Sequence, residues 1–147
     1  MRKLRAMVFD DEIIVLRTLE RFFLKRGYEV LSNTEPVVCP MYDKCADTCT
    51  QLDPCADVIL TDFKMPKMTG IELLKRQSLR QCKLDTRNKA VMSAYMDEHL
   101  QEEIREWGCS FFEKPFRLSD ISSWLKECEE RIDLSRPLAV LEHQLVN

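Results

Sequence analysis

The chain has 147 residues, enough for one folded domain and too few for two of ordinary size. Lys and Arg number 22 against 25 Asp and Glu, a net charge of −3, which gives no electrostatic reason to expect nucleic acid or an anionic membrane as partner. Hydrophobic residues make up 45% of the chain, so a real core is expected, yet no apolar run approaches the ~18–20 residues of a membrane helix.

The N-terminal Met1-Arg2-Lys3-Leu4-Arg5 lacks the apolar stretch of a secretory signal, and a cytoplasmic protein is expected. The run Ala6-Met7-Val8-Phe9 then reads as a buried strand, because it is apolar on both sides of the pleat. Val15, Leu16, Leu19, Phe22 and Phe23 share one helical face, and Lys25-Arg26-Gly27 is a natural stop. Tyr28-Glu29-Val30-Leu31 is a second, weaker strand. A polar, cysteine-rich helix is predicted over about residues 41–52, followed by a third strand at Val58-Ile59-Leu60. Ile71 and Leu74 open a helix after Gly70, and Ala90-Val91-Met92 is the fourth strand. The stripe Leu100, Ile104, Trp107 ends at Gly108, before a fifth strand at Ser110-Phe111-Phe112. Ile121, Leu125, Cys128 and Ile132 recur on one face of a last helix, with Ser119 as the predicted N-cap. Residues 133–147 form a tail, read as a short helix packed on the body or as a dimer or partner contact.

Strand and helix thus alternate five times over residues 1–132. Buried strands joined by right-handed helical crossovers predict an α/β fold: a doubly wound, open, parallel five-stranded sheet between two helical layers, flavodoxin-like with order 2-1-3-4-5. The three glycines, at 27, 70 and 108, are too scattered for a phosphate-cradling loop. Any phosphate chemistry must be held by side chains. Asp10 and Asp11 follow the first strand and Asp62 the third, and in this order those strands are neighbours at the ligand-binding switch point. An acidic pair at a strand end is ordinarily a helix cap. A third acid converging on it demands a cation, and Mg²⁺ (or Mn²⁺) suits an all-carboxylate site. Ser93 ends the fourth strand and Lys114 lies just past the fifth, adding a hydroxyl and an ammonium to the same sheet edge. Metal, ammonium, hydroxyl and an attacking carboxylate are the inventory of phosphoryl transfer.

These residues carry a family resemblance. Leu60-Thr61-Asp62-Phe63-Lys64-Met65-Pro66-Lys67-Met68-Thr69-Gly70, together with Phe9-Asp10-Asp11-Glu12, Met92-Ser93-Ala94 and Glu113-Lys114-Pro115-Phe116, resembles the receiver domain of two-component response regulators over about residues 4–132. The resemblance implies that Asp62 accepts the phosphoryl group, that Asp10, Asp11, Asp62 and the backbone carbonyl of Lys64 hold Mg²⁺, and that Lys114 is the site lysine. It makes Ser93 and Phe111 the switch pair and the Lys114–Pro115 peptide cis. The implied partners are a sensor histidine kinase or phosphotransfer protein and a separate downstream effector. The surface that switches comprises the helix of Leu100 and Trp107, the fifth strand and the helix of Trp124, and a homodimer through it is expected. The domain is expected to phosphorylate and dephosphorylate itself without being a turnover enzyme. Haloacid-dehalogenase-type phosphatases use the same chemistry but carry Asp-x-Asp on the first strand, where this chain reads Asp-Asp-Glu.

Two features depart from the family. The spacing from Asp11 to Asp62 is long, and the extra residues carry Cys39, Cys45, Cys49 and Cys55. Cys45 and Cys49, four apart, would share a helical face, so the four are read as a second metal or redox site for Zn²⁺ or an iron–sulfur cluster. This supports the alternative of a metal- or redox-sensing module on a receiver scaffold. Cys82, Cys109 and Cys128 are expected in the core. Lys64 and Tyr95, each two residues beyond a site residue, are expected to stand over the phosphoryl group and hinder an attacking water.

Overall fold

The computed structural model describes residues 1–36, 48–95 and 97–141. Its sheet contains β1 (Arg5–Phe9), β2 (Glu29–Asn33), β3 (Val58–Asp62), β4 (Lys89–Ser93) and β5 (Ser110–Glu113). All pairings are parallel and the order is β2-β1-β3-β4-β5, the predicted one. The central strands β3 and β4 are buried at every position, which is why their sequences are near-continuous apolar runs.

The helices are α1 (Ile13–Lys25), α2 (Gly70–Leu79), α3 (Glu98–Glu106) and α4 (Leu118–Glu130). Alternate strand residues feed two separate cores. Ala6, Val8, Val58, Leu60, Ala90 and Met92 pack on one face against Leu16, Leu19 and Phe23 of α1 and Ile121, Trp124 and Leu125 of α4. Met7, Phe9, Ile59 and Val91 point the other way, toward Leu73 and Ile71 of α2 and Leu100 and Ile104 of α3. At about 25 cal/mol per Å² of apolar surface removed from water, both layers contribute to stability. Gly27 (φ +85°) and Gly108 (φ +78°) end α1 and the α3 segment in left-handed geometry, as the sequence predicts.

One expectation fails and two are narrowed. Of the helix expected over about residues 41–52, residues 41–47 lie outside the described residues and residues 48–52 are irregular. Among the described residues the fold has four α-helices. Helix α4 begins at Leu118, with Arg117 at the N-cap and no capping side chain, so Ser119 is a first-turn residue and not the cap. The tail to residue 141 is not helical. It runs back beside the second crossover, where the Ala139 N–H donates to the Pro54 carbonyl at 2.9 Å and Arg136 Nη2 donates to the Leu52 carbonyl at 2.9 Å. Ala139 is buried and Leu141 packs on the core of Met7, Phe9 and Ile59. The tail thus helps cover this face of the sheet.

Candidate functional site

Where β1 and β3 end, the chain turns outward and leaves Asp10 and Asp62 almost wholly buried, with Asp11 exposed beside them. One oxygen from each of these three carboxylates lies within 4.8 Å of the other two, the only such ligand group among the described residues. Lys114 enters from the β5–α4 turn. Its Nζ lies 2.8 Å from Asp10 Oδ2, 3.2 Å from Asp62 Oδ1 and 3.7 Å from the exposed Glu12 Oε1. The Lys114 N–H donates to the Ser93 carbonyl at 2.7 Å, and the Lys114–Pro115 peptide is cis. Ser93 is buried, with its Oγ accepting from the Tyr95 N–H at 3.1 Å.

The backbone around Asp62 is set by close packing. The Phe63 N–H donates to the Met92 carbonyl and the Gly70 N–H to the Phe63 carbonyl, both at 2.7 Å. A Cβ at position 70 would stand 2.5 Å from the Asp62 carbonyl oxygen, so glycine there lets α2 start directly against the site. Thr69 caps the helix by accepting the Glu72 N–H at 3.1 Å.

Burial and like charge work against this cluster. Asp62 is pushed up to about 6, first by desolvation and then by the Asp10 charge, with Lys114 opposing. Asp10 is also raised by burial, against the pull of Lys114 and of the Glu12 N–H, which donates to its Oδ1 at 2.9 Å. Burial draws the Lys114 amine down, but its bonds to Asp10 and Asp62 outweigh that and hold it above its ordinary value. One ammonium does not neutralise three carboxylates. The surplus negative charge and the all-oxygen donor set fit a hard divalent cation.

The structure thus brings together Asp10, Asp11, Asp62, Ser93 and Lys114 at the carboxyl ends of the strands. Phe111 is half-buried on β5, packed against the core of Val91 and Ile104, and Lys64 and Tyr95 are exposed. Glu12 is a residue to which the sequence reading gave no role; its place next to the acid pair was the available signal. Of the four predicted cysteine ligands, Cys39 and Cys45 lie outside the described residues. Cys49 and Cys55 are partly buried in the second crossover. Cys109 and Cys128 are buried as expected, but Cys82 is only partly so. Zn²⁺ or an iron–sulfur cluster finds no support among the described residues, which contain no cysteine group of that kind.

A parallel doubly wound sheet with an acidic, lysine-closed crevice at its switch point defines a class of phosphate-handling α/β domains. The chain belongs to the response regulator receiver domain family, whose model matches residues 6–126. It is 28% identical over 125 residues to the sporulation initiation phosphotransferase F of Bacillus subtilis, covering 84% of this chain and 91% of that one. It is 27% identical to the hybrid signal transduction histidine kinase C of Dictyostelium discoideum, over 87% of this chain but only 10% of that much longer protein. The fold is that of the Francisella response regulator 1452 receiver domain, with a TM-score of 0.70, 18% identity, and coverage of 88% of this chain and 98% of that one. The protein is therefore a receiver domain of two-component, phosphorelay signalling. Among the described residues, no helix is long and apolar enough to cross a membrane.

Proposed function

We propose that this receiver takes a phosphoryl group onto Asp62 from a histidine kinase or phosphotransfer protein and passes the signal to a separate effector. The observation that supports it is the meeting of Asp10, Asp11 and Asp62 within reach of the Lys114 amine. In this reading an Asp62 carboxylate oxygen attacks the phosphorus of a phosphohistidine, the P–N bond breaks, and the imidazole leaves. Asp10, Asp11, Asp62 and the Lys64 carbonyl hold Mg²⁺ (or Mn²⁺), which supplies positive charge to the phosphoryl oxygens when bound. Lys114 holds another of those oxygens. Ser93 hydrogen-bonds the phosphoryl group, and Phe111 turns into the space left behind. This biases the surface of α3, β5 and α4 for an effector or a second copy. In this reading the domain catalyses its own phosphorylation by the donor and its own dephosphorylation, and does not turn over a further substrate.

The test is phosphorylation by acetyl phosphate, or complexation with beryllofluoride, in the presence and absence of Mg²⁺, followed by Trp107 and Trp124 fluorescence and by intact mass. The wild-type chain gains one phosphoryl group only with Mg²⁺. The Asp62→Asn variant gains none, and an equal gain in that variant refutes the assignment.

Lys64 and Tyr95 are both exposed, each two residues beyond a site residue, Asp62 and Ser93. A long cation and a broad ring there hinder water from reaching the phosphoryl phosphorus, so Lys64→Asn and Tyr95→Glu are expected to change the rate of phosphoryl loss by several-fold. The decay of the labelled protein in each variant measures it, and unchanged rates in both remove the shielding role.

A further inference from the structure

Three of the seven cysteines meet on the far side of the molecule's chemistry. Cys49 and Cys55 of the second crossover and Cys82 of the turn after α2 line one narrow cavity of about 30 Å³, closed by Met7, Ile59 and Leu84. That space holds a water or two and no cofactor. The crossover is tied to the helix end at this point: the Cys49 N–H donates to the Arg80 carbonyl at 2.6 Å, two residues before Cys82. Gln81 takes a left-handed φ of 56°, and the Cys82 N–H returns to the Gln77 carbonyl at 3.0 Å. Cys49 and Cys82 are partly buried thiols, brought to one wall from positions 33 residues apart.

The three residues line one cavity without making a metal-competent group, which among the described residues is found only at Asp10, Asp11 and Asp62. Pairwise thiol chemistry is what the arrangement permits. Burial pushes the Cys109 and Cys128 thiols up to about 11 and about 12, which leaves almost no thiolate to react at those two positions.

We propose that Cys49 and Cys82 form a modification site, a thiol pair that a hydroperoxide oxidises to a disulfide fastening the second crossover to the end of α2. One thiolate attacks the peroxide, the O–O bond breaks, and an alcohol or water departs, leaving a sulfenic acid. The second thiol attacks that sulfur, the S–O bond breaks, and water leaves. Two thiols and one hydroperoxide thus give one disulfide, one alcohol and one water. The bridge anchors the far end of the helix whose first residue, Gly70, packs on the Asp62 backbone. This goes beyond the phosphorelay reading and does not depend on it.

The experiment treats the reduced 147-residue chain with hydrogen peroxide and maps cysteine pairing by peptide mass spectrometry. The expected result is loss of two hydrogens, a linked peptide pair containing Cys49 and Cys82, and a rise in Tm of several degrees that dithiothreitol reverses. Asp62→Asn should oxidise at the same rate, separating this site from the phosphoacceptor. Cys82→Ala should lose the link. Should that variant fold poorly, differential alkylation of the oxidised wild-type chain serves instead: Cys49 and Cys82 are protected together while Cys109 and Cys128 alkylate on denaturation. Pairing of Cys49 with Cys39, Cys45 or Cys55, or oxidation to sulfinic acid without a link, overturns the proposal.

Discussion

Replacing Asp62 by Asn is expected to raise the melting temperature at pH 7 while abolishing phosphoryl acceptance. Burial and the neighbouring Asp10 charge lift the Asp62 carboxyl from its ordinary 3.8 to about 6, so the folded state binds a proton more tightly than the unfolded chain. Below about pH 4 the carboxyl is protonated in both states and exacts no penalty. Between about 4 and 6 the unfolded chain ionises first and stability falls as pH rises; above about 6 the whole penalty is present. A shift of ~2 units corresponds to at most ~3 kcal/mol. Asn keeps the shape and a Lys114 acceptor but leaves a buried amide to satisfy, so a net gain of about 1–2 kcal/mol is expected, or roughly 2–6 °C for a domain of this size. Melting curves of both proteins from pH 3.5 to 8, without divalent cation, measure it. The gap should open between pH 4 and 6 and stay constant above. A gap that is flat across this range, or a less stable variant at pH 7, means that Asp62 is not electrostatically strained.

The legible parts of this molecule are those in which one physical rule decides alone. Strand ends were readable because apolar runs stop at Asp10, Asp62 and Ser93, where the backbone leaves the sheet and polar groups reach solvent or each other. Their convergence followed from strand order, which parallel crossovers nearly dictate. Residues 48–52 were expected to continue a helix because Cys45 and Cys49 stand four apart, but this short stretch carries little of the apolar stripe that offsets a helix's ordering entropy, and it is irregular. Ser119 offered a capping side chain, but α4 starts a residue earlier, at Leu118, without one. Cys82 was expected in the core because it sits within an apolar pattern, yet α2 stops at Leu79 and Gln81 turns the chain, which leaves Cys82 only partly buried. The tail gave no local signal. Its position depends on Arg136 and Ala139 finding carbonyls 84 and 85 residues away in sequence, at Leu52 and Pro54.

Removing the ammonium is the counterpart of removing the acid, and the opposite sign is expected. Lys114→Met deletes the cation 2.8 Å from Asp10 and 3.2 Å from Asp62, leaving two buried carboxyls facing one another. Breaking a buried ion pair from one side costs about 3–5 kcal/mol in general. Here the carboxyls relieve part of this by rising further and taking up a proton, so about 2–4 kcal/mol at pH 7.5 is expected, read as a fall in Tm of several degrees in EDTA. The loss should shrink toward pH 5, as the carboxyls become neutral. Millimolar Mg²⁺ should recover more stability in this variant than in the parent, because a divalent cation replaces the missing charge. Glu12→Gln is the control: that carboxylate is two-thirds exposed at 3.7 Å, and a surface contact of this kind changes stability by no more than about 0.5 kcal/mol. Thermal melts of the three proteins with EDTA and with Mg²⁺ decide the matter. If Lys114→Met is as stable as the parent at pH 7.5 without metal, the acidic cluster is relieved by water alone, and the charge balance that makes a cation necessary at this crevice does not exist.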